Sequence, residues 1–181
     1  RRGGSTITQQ LAKNLYRTRR DKARGILGYL PLIKTFLAKG KEWITAVKLE
    51  AYYTKEDILT MYLNTVEFGH NTYGISVAAK TFFGVKASDL TINQSATLIN
   101  MLQAPTRFSP LSHPESCLKR RNIVLSQMKK YGKLSEEDYK KLSKEPLEIN
   151  FKEYSYSEGM APYFRTYIAK YLSDWGKERD I

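Results

Sequence analysis

One cysteine, Cys117, and two histidines, His70 and His113, stand in 181 residues. A single thiol closes no internal disulfide, and these residues offer no ligand set at zinc spacing, so neither disulfide staples nor a Cys-rich structural zinc holds the chain together. Both histidines read as loop residues. No run approaches the roughly 20 apolar residues of a membrane span. The opening Arg1-Arg2-Gly3-Gly4 has no signal-peptide hydrophobic region, so any export signal or anchor is expected outside these residues. Repeats and low-complexity linkers are also missing. With 41% hydrophobic residues and 12% aromatics there is enough apolar material for one domain with a real core, which excludes wholesale disorder.

Acidic residues are scarce too, 18 against 30 basic ones, for a net charge of +12. Residues 1–41 hold eleven basic side chains and one acid, Asp21, and so carry +10 of that total. Such concentration points to an anionic partner at the N-terminal end: nucleic-acid phosphate, acidic lipid headgroups or a phosphorylated substrate.

The periodicity is helical almost throughout, and cap residues mark the boundaries. Thr6-Ile7-Thr8-Gln9 reads as a capping box opening a helix to about Tyr16. Further helices are expected over 41–53, from Thr54 to about Asn64, over 75–83 with Gly84 as C-terminal cap, from Thr91 to Leu102, and from Pro114 to Tyr131. A small helix capped by Ser135 and a last amphipathic one over 157–175 complete an all-α class of about eight helices. One short strand is possible over 147–151. The Tyr-rich end (Tyr154, Tyr156, Tyr163, Tyr167, Tyr171) reads as core and interface, and Arg120 with Arg121 as a solvated helix face or a structural ion pair.

Residues 25–38 break the pattern: strongly apolar, with Gly25, Gly28 and Pro31, and flanked by basic residues. Two readings stand side by side. One is a buried loop or core helix. The other is a segment lying in a membrane interface, apolar side chains in the acyl boundary and Lys and Arg at anionic headgroups.

The most specific string is Gly3-Gly4-Ser5-Thr6-Ile7-Thr8-Gln9-Gln10-Leu11-Ala12-Lys13. Glycines and hydroxyls at a helix start expose backbone N–H groups and the positive dipole end, which suit an anion, and Gln10 and Lys13 share a helical face. The same residues also start helices routinely. The string resembles a signature of the peptidoglycan glycosyltransferases, glycosyltransferase family 51. Lys39-Gly40-Lys41-Glu42 is similar to that family's next signature, with Ala38 where the family usually has Arg. Lys55 to Asn64, Glu67-Phe68-Gly69, Tyr73-Gly74-Ile75, Phe82-Phe83-Gly84, Gln103-Ala104-Pro105, Phe108-Ser109-Pro110 and Arg120-Arg121 continue the likeness in order to about residue 140.

The resemblance implies a lysozyme-like α-helical domain over residues 1–181, at the outer (periplasmic or extracellular) face of a bacterial cytoplasmic membrane. It implies polymerisation of lipid II into a growing glycan chain with release of undecaprenyl diphosphate and inversion at the anomeric carbon. Carried over by position, Glu42 is the second glutamate, assisting at the diphosphate with a divalent cation, expected to be Mg. Lys39 binds the diphosphate, Ser5, Thr6, Gln10 and Lys13 contact substrate, and Lys41 stands in for the cation missing at Ala38. Basic neighbours are expected to favour the ionised form of Glu42. The family's first signature, with its general-base glutamate, is upstream of the Gly-Gly-Ser-Thr string and has no match here, nor does a membrane anchor. The 181 residues alone are therefore expected to be inactive although the parent is an enzyme. No Ser-x-x-Lys stands in a context that supports a penicillin-reactive serine, so a transpeptidase domain, if the parent has one, lies elsewhere in it.

Two rivals belong to other classes. A basic all-α nucleic-acid binding module accords with the charge, but the basic residues interleave with Leu-Pro-Leu-Ile-type sequence and no helix-turn-helix signature is evident, so no nucleic-acid partner is expected. A lysozyme-like hydrolase needs a carboxylate pair, and Glu50, Glu56 and Asp57 read better as helix surface and caps.

Overall fold

The computed structural model describes residues 4–16, 31–152 and 162–178, among which eight α-helices are found. They are α1 (Ile7–Tyr16), α2 (Pro31–Tyr52), α3 (Lys55–Thr65), α4 (Ile75–Phe83), α5 (Ile92–Met101), α6 (Pro114–Lys130), α7 (Glu136–Leu142) and α8 (Pro162–Glu178).

The predicted caps form. Thr6 Oγ1 accepts the Gln9 N–H at 3.2 Å and Gln9 Oε1 accepts the Thr6 N–H at 3.4 Å. Thr54 and Asp57 do the same for α3, and those hydrogen bonds hold the Asp57 carboxyl below its usual range. Thr91 with Gln94 opens α5, Ser135 opens α7, and Gly84 closes α4 in the left-handed region at φ +73°.

Three expectations need correction. Helix α2 begins at Pro31, not near residue 41. Proline is well placed in a first helical turn, where its missing N–H has no partner to lose, and Gly40 costs a helix too little to break it. Residues 31–38 are thus the first two turns of α2, and residues 25–30 lie outside the described residues. The strand over 147–151 is not formed. Instead Asn150 N–H donates to Phe82 O at 2.9 Å and Lys152 N–H to Thr81 O at 2.8 Å, serving carbonyls that the end of α4 leaves open. Helix α8 begins at Pro162 and continues through Gly176 to Glu178. Its Tyr163, Tyr167 and Tyr171 are exposed rather than core. Tyr154 and Tyr156 lie outside the described residues.

Helix α1 packs on both α2 and α3, α5 lies along α6, and α7 joins α6. The main core gathers Leu11, Leu49, Tyr62, Phe68, Phe82 and Leu98 from six segments of the chain. Arg121 is fully buried, which the sequence reading did not expect. It donates to the carbonyls of Pro146 (3.0 Å), Glu145 (2.7 Å) and Leu142 (3.2 Å), so it is neither a solvated residue nor held by a carboxylate. Burial pushes its pKa down, with Glu145 and Cys117 opposing.

Candidate active site

The start of α1, the middle of α2 and the end of α3 converge. On α2, Glu42, Ala46 and Leu49 form the buried stripe at i, i+4 and i+7, so the carboxylate occupies a position that the helical period assigns to an apolar residue. Glu42 is 2% exposed. A buried carboxylate is costly unless paired, and Lys39, one turn earlier, supplies the charge: Nζ lies 2.5 Å from Oε2. The same ammonium donates to Ser5 Oγ at 3.2 Å. Residues 34 apart in sequence are thereby joined in one chain, Ser5–Lys39–Glu42, across the gap between the α1 start and α2. The lysine side chain remains 45% exposed, so its charge is open to a second anion from solvent.

Gln10 lies one turn on from Thr6 along α1 and one turn before Lys13. Its Oε1 accepts the Tyr62 hydroxyl at 3.0 Å. Tyr62 is 4% exposed, and burial raises its pKa, which keeps the phenol protonated as a donor. Periodicity assigned Tyr62 to the apolar face of α3, and no spacing signal in the sequence pairs it with Gln10.

The remaining expected site residues are placed as follows. The Thr6 hydroxyl is engaged as the N-cap of α1. Lys13 and Lys41 are exposed on α1 and α2. Among the described residues no three His, Cys, Asp or Glu side chains gather where a metal ion would sit. Glu42 therefore offers one carboxylate, whose Oε2 already faces the Lys39 ammonium.

The later motifs build structure around this centre. Gly74, at φ +83°, brings its backbone against the end of α3 so closely that a Cβ would meet Asn64 O at 2.7 Å. His70 Nε2 lies 3.1 Å from Ser109 Oγ, which also accepts the N–H groups of Leu111 and Ser112, tying the 66–74 loop to the 104–112 loop. Arg120 stacks over Phe108 and donates to Gln103. The hydrolase reading loses its second carboxylate, since Asp57 is committed to the α3 cap and Glu50 and Glu56 are exposed. A cavity of about 170 Å³ between the start of α5, α6 and residues 142–148 is lined by none of Ser5, Gln10, Lys39 or Glu42.

The described residues thus form an all-helical domain in which one lysine is shared between a helix-start serine and a buried glutamate. The family model described as Transglycosylase matches residues 1–129, and the chain belongs to that family. Penicillin-binding protein 1A of Aquifex aeolicus is 36% identical over 170 residues, covering 94% of this chain and 21% of the relative. Penicillin-binding protein 1A/1B of Bacillus subtilis is 45% identical over 143 residues, 78% of this chain and 14% of the relative. The crystal structure of penicillin-binding protein 1A from Haemophilus influenzae is similar at a TM-score of 0.52 and 31% identity, covering 67% of this chain and 18% of that one. The chain thus spans about a fifth of the length of such relatives.

Proposed function

We propose that this chain is the glycosyltransferase unit of a peptidoglycan-building enzyme, acting on lipid II and a growing glycan chain. Beyond family membership, the observation that carries this reading is the Ser5–Lys39–Glu42 chain at the start of α1. In the reaction a sugar hydroxyl of the acceptor attacks the anomeric carbon of the donor. A new C–O bond forms, the bond to the diphosphate breaks with inversion, and its electron pair leaves on undecaprenyl diphosphate. The protein must offset the charge that develops on the leaving group. Lys39 supplies a cation, the α1 N-terminus a positive dipole end, and Ser5 and Lys13 further donors. Glu42 holds the Lys39 ammonium in place and is the carboxylate to which a divalent cation is assigned. Among the described residues no group of three or more His, Cys, Asp or Glu side chains is placed to hold a metal ion. Glu42 would hold such a cation, which would supply further positive charge toward the leaving diphosphate.

The proton acceptor for the attacking hydroxyl belongs to the upstream signature. Polymerisation of labelled lipid II is therefore measured both in residues 1–181 and in a chain lengthened upstream. The expected result is glycan in the longer chain only, reduced about 100-fold or more by Glu42→Gln and by Lys39→Ala. Wild-type-like rates in Glu42→Gln would remove Glu42 from the reaction, and glycan made by residues 1–181 alone would place the base within them.

The partner surface in this reading is the outer face of a cytoplasmic membrane. Its support is the outward face of α2, where Trp43, Ile44 and Val47 are exposed beside Lys41 and Lys48. The length of the penicillin-binding relatives supports a transpeptidase domain elsewhere in the parent chain.

A further inference from the structure

We infer that Tyr62 is a positioning residue for substrate binding, locking the Gln10 carboxamide so that it meets the substrate as a hydrogen-bond donor. The inference rests on the proposed glycosyltransferase reading and adds to it a residue and a polarity. A glutamine side chain can accept through Oε1 or donate through Nε2, and on an exposed helix face it rotates between the two. Gln10 is exposed, yet its oxygen is taken by the Tyr62 hydroxyl at 3.0 Å. Tyr62 itself cannot move: its ring is 4% exposed and sits in the main core on α3, which packs directly on α1. A phenol kept protonated by burial donates its one hydrogen to the amide oxygen. The Nε2 hydrogens are left for whatever comes to the face that Gln10 shares with Lys13. Gln10 Nε2 and the Lys13 ammonium then present donors side by side on α1, which suits the oxygen-rich acceptor surface of a saccharide diphosphate.

The test uses the 181-residue chain with two readouts. Side-chain ¹⁵N relaxation of the Gln10 amide is expected to report an ordered group in the wild type and a mobile one in Tyr62→Phe, with the unfolding temperature little changed. Binding of the lipid-linked disaccharide diphosphate is expected to weaken about three- to tenfold in Tyr62→Phe and in Gln10→Ala. In the Gln10→Ala background Tyr62→Phe should add nothing, and Gln10→Glu, which keeps the acceptor but loses the donor, should bind more weakly than Gln10→Ala. Additive losses in the double variant would overturn the inference, because Tyr62 would then act through packing alone. So would a Gln10 amide equally mobile with and without the hydroxyl, even with binding intact. Failure of the wild type to bind the lipid at all, with an ordered Gln10 amide, would instead overturn the glycosyltransferase reading and with it any role of Tyr62 toward that substrate.

Discussion

At the residue scale, Arg121 shows how a charge is tolerated without an ion pair. Its guanidinium converges on carbonyls in the 142–146 turn, a place where a helix end and a proline leave acceptors unserved. Replacing it by Met fills the volume but strands those carbonyls in the interior. Arg121→Met is therefore expected to destabilise the protein by about 3 kcal/mol or more, read as a lower urea midpoint, with Arg121→Lys in between because an ammonium lacks the planar fork. A midpoint unchanged in Arg121→Met would mean that water serves the turn equally well. Glu42 is the opposite case, a buried charge held by a partner that is itself half open to solvent. The first residue fastens the fold, and the second holds a lysine whose charge is open to solvent.

At the scale of elements, α2 is the decisive helix. It carries Lys39 and Glu42 on one side and Trp43, Ile44 and Val47 on another, so one element holds the Lys39–Glu42 ion pair and the apolar outward face in fixed relation. Gly40 lies inside it, between the two charged residues of the pair. A Cβ at Gly40 would meet nothing within 4 Å. Gly40→Ala should accordingly raise stability by about 0.5–1 kcal/mol through helix propensity, measured by urea unfolding. A fall in stability would show that the helix does not run straight through residue 40. The late start expected for α2 came from setting residues 25–38, with Gly25, Gly28 and Pro31, apart from the helical pattern, whereas position decides what each residue does: proline in a first turn is neutral, and Gly40 in a long helix is a small cost set against tertiary packing.

At the scale of the whole molecule, the basic residues 1–41 and the exposed α2 face predict association with anionic bilayers. Substituting Trp43, Ile44 and Val47 together by Ser should reduce co-sedimentation with anionic vesicles at least tenfold while leaving the fold intact, because these side chains are already in solvent. Binding that persists in the triple variant but disappears in high salt would assign the association to charge alone.

Sequence by itself determined the helical class, five of the eight helices to within a residue or two, and the capping residues of most, because period and capping are local and act within a turn or two. It also determined the family, through signatures held in order along the chain. The buried position of Glu42 was not read from the sequence, where it stood only as a carboxylate among basic residues. Only the tertiary structure decided which groups meet: Lys39 with Ser5 across 34 residues, Tyr62 with Gln10 across 52, and Arg121 with the 142–146 turn. It also decided that residues 147–151 serve the end of α4 instead of forming a strand, and that the tyrosines of α8 remain in solvent. Each of these is a matter of which surfaces pack together, and hydrogen bonds between distant residues have no period in the sequence from which they can be read.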